Sequence, residues 1–282
     1  MTSNTYCRSV LFTPALRPER IAKAAQSGAD VCVIDLEDPV APNLKEDARG
    51  KLAQCLATPH SKQVKFAVRV NSLRTQDGLK DLLEIFRQTI LPDYILLPKV
   101  ESAQEIIITE KILGYKEHDI QFLVAVETPG GVANAKEIAT ASLRLKGLIF
   151  GAADYASSTG GAITWESLYF ARTQVLNAAK ISGIEIIDTP YFDAHDFDGL
   201  IADSLRVKAL GYTGKSAIHP LQIRHINEVF QPDEAALDRA RRIVATAQEN
   251  EGNAYLLDGT LIGTPLIKAA QKLLDKYGQT SR

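Results

Sequence analysis

Short apolar runs alternate with longer amphipathic stretches along the whole chain. The runs fall at residues 9–13, 31–36, 65–70, 94–97, 121–126, 147–150, 184–188 and 213–218. Most are continuously apolar rather than alternating, the pattern of parallel strands covered on both faces; the last, TGKSAI, is placed by its position in the series. Between them, apolar spacing predicts helices at 18–27, 43–57, 75–88, 103–113, 131–141, 166–182, 195–210 and 221–229, with Asn43 as an N-cap and Gly28 closing the first helix. Eight strand–helix units predict an α/β fold of the (β/α)8 TIM type, with a doubly wound open sheet as the alternative that periodicity leaves open.

The barrel is expected to span residues 1–232. Beyond it, residues 233–282 are expected to form a C-terminal helical extension, with helices at 233–250 and 265–277 joined by EGNAYLLDGTLIGT, a loop or short hairpin. This extension has to pack outside the barrel or on a neighbouring subunit.

Composition narrows the functional classes. The 282 residues are 45% hydrophobic and 23% charged, enough to bury a substantial core, and a barrel of this type needs about 250 residues. A net charge of −2 argues against a nucleic-acid binder and leaves room for an anionic small-molecule substrate. The cysteines, Cys7, Cys32 and Cys55, are odd in number and lack CxxC spacing, which fits a reducing cytoplasm better than a disulfide scaffold. The opening MTSNTYCRS lacks the apolar stretch of a secretory signal, and no run approaches the roughly 20 apolar residues of a membrane span. A cytoplasmic protein with no membrane partner is expected.

The polar residues that end the runs carry the chemistry. VCVIDLED ends in Asp35, Glu37 and Asp38; FAVRVN in Arg69 and Asn71; YILLPK in Lys99; FLVAVET in Glu127; GLIFGAAD in Asp154; IEIIDTPY in Asp188; and the eighth run near Lys215 and His219. In a barrel these ends open onto one face, where active sites of this fold lie. Charges also mark where strands reach solvent, but an acid or base at seven successive strand ends points to convergence.

Glu127 and Asp154, from adjacent strands, suit Mg²⁺, which takes few protein ligands and keeps several waters; the alternative is a pair of strand-end acids bridged to Lys or Arg. His60, His118, His195, His219 and His225 form no zinc motif. Glu37 and Asp38 either order outer-shell water or pair with nearby cations. Arg69 can address a carboxylate or carbonyl with a bidentate fork, whereas Asn71 orders the turn. Gly130-Gly131 is expected to open a helix whose amides face the mouth, and Gly151 to permit a tight turn before Asp154. Charge developing on a substrate oxygen would be stabilised by Arg69 and the metal. A Schiff-base aldolase through Lys99 is the rival chemistry, but the surrounding acids favour Lys99 as a carboxylate partner or anion binder.

The ordered set RSVLFTPALRPERIAKAAQSGADVCVIDLEDPVAPNLKEDAR, RVNSLRTQDGLKDL, LLPKVES, VETPGGVANAKEIA, GLIFGAADYA, IDTPYFDAHDFDGL and GYTGKSAIHPLQIRHINEVFQP resembles the citrate lyase β-subunit-like (HpcH/HpaI aldolase/citrate lyase) family over about residues 8–248. The resemblance implies a Mg²⁺-dependent carbon–carbon lyase acting on a citramalyl-, malyl- or citryl-type thioester through an enolate, with an acyl-CoA thioester, a 2-oxo acid or acetyl-CoA as its small-molecule partners. It implies metal at Glu127 and Asp154, substrate at Arg69, Phe12 and Pro14, and a homotrimer or multiple of it such as a hexamer; Glu127 and Lys99 are counted with the substrate-binding candidates. Glu37 and Asp38 join Arg69 as candidate catalytic groups. Phe12, Pro14 and residues 215–220 lie where such proteins handle the CoA end.

One position departs from the pattern. Relatives carry an acid/base Asp, reaching into a neighbouring subunit's site, where this chain has Gly263 within GTLIGTP. Malate-synthase and thioesterase chemistry by that route is not expected. Its proton role then falls to Glu37 or Asp38, or to Asp258 if the loop is repositioned, or the cleavage needs no such group, or the chain is catalytically weak. A class II 2-oxo-acid aldolase and a non-catalytic acyl-CoA-binding subunit are the remaining alternatives.

Overall fold

Each apolar run forms a strand, and each strand hydrogen-bonds to the next in parallel. The computed structural model describes residues 7–114, 119–250 and 253–277; His118 lies outside them. The strands are β1 (Ser9–Pro14), β2 (Val31–Asp35), β3 (Lys65–Arg69), β4 (Tyr94–Leu97), β5 (Gln121–Val126), β6 (Leu145–Phe150), β7 (Glu185–Asp188) and β8 (Gly214–Ala217). Pairing of Ser9, Val10 and Leu11 with Lys215, Ser216 and Ala217 joins β1 to β8 and closes the barrel. That closure excludes the open sheet and confirms the barrel.

Two packed surfaces follow from the two-residue period of the strands. Val10, Val31, Val33, Ala67, Leu96, Leu123, Ala125, Ile149 and Ile187 form one cluster, the barrel interior. The alternate residues, including Leu11, Ile34, Val68, Ile95, Val124, Leu148 and Ile186, join helical side chains in a larger outer core. Gly147 serves the inner layer: a Cβ there would lie 3.1 Å from Leu123 and 3.2 Å from Ile187.

The covering helices are α1 (Pro18–Ala25), α2 (Lys45–Gly50), α3 (Leu52–Leu56), α4 (Gln76–Arg87), α5 (Ala103–Ile112), α6 (Pro129–Ala133), α7 (Ala135–Ala139), α8 (Ala152–Thr159), α9 (Trp165–Ser182), α10 (Phe197–Leu210) and α11 (Leu221–Phe230). The single helix expected over 43–57 is broken at Gly50-Lys51, and Asn43 sits inside a short 3₁₀ turn rather than capping it. The helix expected over 131–141 is interrupted at Asn134, whose side-chain amide donates to the Glu101 carbonyl. α8 was not predicted. Its AADYASST run lacks a clear apolar stripe, and it stops at Gly160 in a left-handed conformation.

Asp188 and Lys215 share the parity of Ile186 and Ala217, so they point outward, away from the mouth expected for them. Both are wholly buried. Lys215 Nζ lies 2.7 Å from Asp188 and 2.6 Å from Asp203 of α10, and Arg172 of α9 donates to Asp188 at 2.9 Å. This network ties β7 and β8 to their helices behind the barrel wall.

A second compact unit begins at Gln231. It holds α12 (Glu234–Glu249), α13 (Thr264–Tyr277) and an antiparallel hairpin of β9 (Tyr255–Leu257) and β10 (Thr260–Ile262). Its core is Ala240, Ile243, Ala247, Tyr255, Ile262 and Ala270. Asp258-Gly259 makes the two-residue turn with φ of 50° and 75°, as a type I′ hairpin needs. Asp258 is further held by Arg242 at 2.8 Å, so it is committed within its own unit.

Replacing Lys215 by Met leaves Asp188 and Asp203 without their shared ammonium. Urea titration is expected to show a loss of about 3–5 kcal/mol, the usual consequence of removing one partner of a buried pair; a change below about 1 kcal/mol would contradict the buried network.

Candidate active site

Alternation along β2 sends Val31, Val33 and Asp35 inward, and along β3 it does the same for Ala67 and Arg69. Asp35 and Arg69 are register partners, and they meet as a two-pronged ion pair: Arg69 Nε donates to Asp35 Oδ1 at 2.8 Å and Nη2 to Oδ2 at 2.5 Å. Asp35 Oδ1 also accepts the Glu37 amide at 3.0 Å, fixing the turn that carries the next two acids. Arg69 Nη1 faces those acids, 2.9 Å from Glu37 Oε2 and 3.2 Å from Asp38 Oδ2, although the Glu37 contact is too far off-line to be a hydrogen bond. The Phe12 ring covers the guanidinium at 4.9 Å. Pro14, half-buried at the end of β1, pairs in register with Asp35.

Behind this turn, Asn71 donates to the Leu36 carbonyl at 3.0 Å and to Asp81 Oδ2 at 2.6 Å. Asp81 is in turn paired with Arg49 at 2.9 Å. Lys45 Nζ reaches the Leu36 and Glu37 carbonyls at 2.9 and 2.7 Å. Asn71 therefore orders the backbone, as its place in the sequence suggested, and it does so for the Glu37 turn as well as its own.

Lys99 breaks the alternation. Its φ of 53° is left-handed, rare and costly for a residue with a Cβ. The kink turns its ammonium into the mouth, 2.5 Å from Glu37, 3.0 Å from Asp38 and 3.5 Å from Asp154. The same kink presents its amide to Glu127 Oε1 at 2.9 Å. Glu127, inward on the parity of Leu123 and Ala125, is buried with its other oxygen against Gly151; a Cβ there would lie 2.3 Å from Oε2. Gly151 is thus needed for space beside Glu127. Asp154 stands in the first turn of α8.

Electrostatics separates these acids. Burial, helped by the Asp154 and Glu37 charges, pushes the Glu127 carboxyl up to about 8. Burial likewise pushes Glu37 up to about 7, against the pull of Arg69 and with the Asp38 charge adding to the rise. Asp38 is also partly desolvated, but Arg69, Glu37 and Lys99 outweigh that and hold it below its ordinary value. Lys99 is desolvated too, yet its contacts with Glu37 and Asp38 raise its pKa, so it is an ammonium at neutral pH. A charged Lys99 removes the neutral amine that a Schiff-base aldolase needs.

The site therefore brings together Phe12, Glu37, Asp38, Arg69, Lys99, Glu127 and Asp154. It adds Asp35 as the anchor of Arg69, a role its inward parity could have revealed. Gly130-Gly131 serves differently from expectation. The Gly131 amide is taken by Thr128 Oγ1 at 3.0 Å, α6 has only five residues, and a Cβ at Gly131 would lie 2.5 Å from the Val100 carbonyl. The glycines let α6 pack against the Lys99–Glu101 turn. Among the described residues, no three His, Cys, Asp or Glu side chains form a metal cage. A buried carboxylate with a raised pKa beside a second carboxylate is nevertheless a donor set that a hard cation relieves. Two oxygen ligands with water completing the sphere fit Mg²⁺.

The Glu127 shift has a measurable sign. Unfolded Glu releases its proton near 4.5, whereas the folded group holds it to about 8, so metal-free stability falls as pH rises through that interval. Thermal melts in chelator between pH 5 and 8 are expected to show this loss, on the order of a few kcal/mol. Glu127→Gln should reduce it to the smaller part that the Glu37 shift contributes; an unchanged slope in that variant would refute the assignment.

Comparison with known proteins places this geometry. The family model for HpcH/HpaI aldolase/citrate lyase matches residues 8–220. The citrate lyase subunit beta of Haemophilus influenzae is 35% identical, the alignment covering 95% of this chain and 96% of the relative. The L-malyl-CoA/beta-methylmalyl-CoA lyase of Rhodobacter capsulatus is 33% identical, over 95% and 93%. Among solved structures, CitE from Mycobacterium tuberculosis, crystallised with magnesium, acetoacetate and coenzyme A, superposes with a TM-score of 0.81 at 30% identity, covering 98% of this chain and all of that one. With the barrel, the mouth and these likenesses in agreement, the chain belongs to the HpcH/HpaI aldolase/citrate lyase family.

Proposed function

We propose that the mouth is the active site of a Mg²⁺-dependent carbon–carbon lyase. Its substrate would be a 3-hydroxy-carboxylic acyl-CoA of the citramalyl, malyl or citryl type, cleaved or, in reverse, formed. The observation that carries this reading is the Arg69 fork, locked by Asp35, set beside the paired acids Glu127 and Asp154 in a chain of this family. Solved relatives with magnesium, acetoacetate and coenzyme A support the choice of metal and thioester.

In cleavage, the hydroxyl proton passes to a base and the bond between the hydroxyl-bearing carbon and the thioester α-carbon breaks. The first carbon becomes the carbonyl of a 2-oxo acid. The bond's electrons pass to the thioester as an enolate, which takes a proton to give the acyl thioester. Glu127 and Asp154 would hold Mg²⁺, which when bound supplies positive charge to draw electron density from the substrate's oxygens. Arg69 would meet a substrate oxygen through Nη1, which here faces Glu37 and donates to Asp38 at 3.2 Å, its other nitrogens being committed to Asp35. Glu37, with a pKa near 7, is matched to moving a proton at neutral pH. Asp38 stays ionised and, with Arg69 and Lys99, sets the field around it. Phe12 and Pro14 would line the approach of the thioester. Glu37 fills the proton role that Gly263 leaves open.

The same proposal includes a trimer-based assembly in the cytoplasm. Buried free thiols at Cys32 and Cys55 suit a reducing compartment, and exposed Leu256 and Leu261, cross-strand partners on the hairpin, offer apolar area for a neighbouring copy. Among the described residues no helix is long and apolar enough to cross a membrane.

Turnover of citramalyl-CoA, malyl-CoA and 4-hydroxy-2-oxo acids separates this lyase from a CoA-independent aldolase. Mg²⁺ and CoA binding without turnover would mark a binding subunit. Glu127→Ala and Asp154→Ala are each expected to abolish Mg²⁺-dependent activity with circular dichroism unchanged, and undiminished turnover in either would reject the assignment. Arg69→Lys, losing the fork, should lower kcat about 10²–10³-fold. A Cβ at Gly263 would meet no atom nearer than Pro265 Cδ at 3.8 Å, so Gly263→Asp should fold normally and add thioester hydrolysis, read as released free thiol.

A further inference from the structure

We infer that Lys99 is a built-in counter-cation that competes with the divalent metal for Asp154 and sets how tightly the site binds it. The inference rests on the metal reading above and concerns Lys99, to which that reading gives no part in metal binding.

Lys99 touches both carboxylates nominated as ligands, in opposite ways. Its amide donates to Glu127 Oε1 at 2.9 Å, which aims that carboxylate; its ammonium lies 3.5 Å from Asp154 Oδ1. The ammonium is held more closely by Glu37 and Asp38, at 2.5 and 3.0 Å, so it can give up Asp154 and still be paired. The left-handed backbone that makes both contacts possible is clamped from outside: Arg74 donates to the Lys99 carbonyl at 2.6 Å and pairs with Glu101 at 2.6 Å. Asn134 holds the Glu101 carbonyl at 2.8 Å, and α6 closes on Val100 through Gly131. A strained residue fixed on so many sides sits where it does for a reason beyond folding. Two cations near one carboxylate repel, so a metal on Asp154 must displace the ammonium toward Glu37 and Asp38. Lys99 thereby neutralises the mouth in the metal-free protein and weakens metal binding, keeping it reversible.

Calorimetric titration of the full chain with Mg²⁺ alone, at fixed pH and salt, tests this without turnover. Lys99→Met keeps the amide and removes the charge, and it is expected to tighten Kd at least about tenfold. Lys99→Arg keeps the charge and should stay within about threefold of the wild type. An unchanged or weaker Kd in a normally folded Lys99→Met protein overturns the inference. Should that variant fail to fold, crystals of the unaltered protein with Mg²⁺ decide: Lys99 Nζ is expected to lie farther from Asp154 than the present 3.5 Å, and a retained ion pair beside bound metal overturns the inference. Failure of the unaltered protein to bind Mg²⁺ would instead remove the metal reading itself, and this inference with it.

Discussion

The ion pair between Asp35 and Arg69 is the constraint on which the mouth depends. It joins two neighbouring strands at register partners, so the barrel's own hydrogen bonding sets its geometry. A buried pair of this kind recovers its desolvation only when the remaining polar atoms are also used. Here they are: one carboxylate oxygen takes the Glu37 amide, and one guanidinium nitrogen is left facing the acids of the following turn. The pair thus converts strand register into the orientation of a fork. The outer links through Asn71, Asp81 and Arg49 then brace the turn from behind.

Charge crowding is the second organising feature. Glu37, Asp38, Glu127 and Asp154 share a small space with Arg69 and Lys99, and burial raises the pKa of Glu37 and Glu127. Such an arrangement is unfavourable for the empty protein and favourable for one that holds a cation, the usual sign of a site built for its ligand rather than for stability. The cost is borne by parts that need not move. The hydrocarbon interior of the barrel and the Asp188–Lys215–Arg172 network behind β7 and β8 supply rigidity from outside the mouth.

Most of the fold was legible because a buried parallel strand leaves a continuous apolar run, and eight such runs appear in order. The site was legible to the extent that strand parity holds. Asp35, Arg69 and Glu127 continue the inward positions of their strands, whereas Asp188 and Lys215 carry charge at a strand end but on the outward parity. Strand-end position alone misplaced those two; parity with Ile186 and Ala217 would have turned them outward. Lys99 could not be read that way, since its left-handed backbone reverses the side it faces. α8 escaped because Ala, Ser and Thr at its positions give no apolar stripe, and the Gly130-Gly131 pair was ambiguous because close packing and anion binding both favour glycine.

The Gly263 departure bears on how the proton is handled. A supplied acid from elsewhere would let the mouth keep all its carboxylates for metal and field. Without it, one of them has to titrate near neutrality, and only a carboxyl that is buried and yet not a metal ligand can do so. Asp38 is held ionised by Arg69, Glu37 and Lys99, and Asp258, in the hairpin turn, is paired with Arg242 of α12. Glu127 and Asp154 are, in the proposal above, the ligands of the cation. Glu37 alone among these acids combines burial, a pKa near 7 and an oxygen left without a hydrogen bond, which is the ground for proposing it as the group that moves the proton.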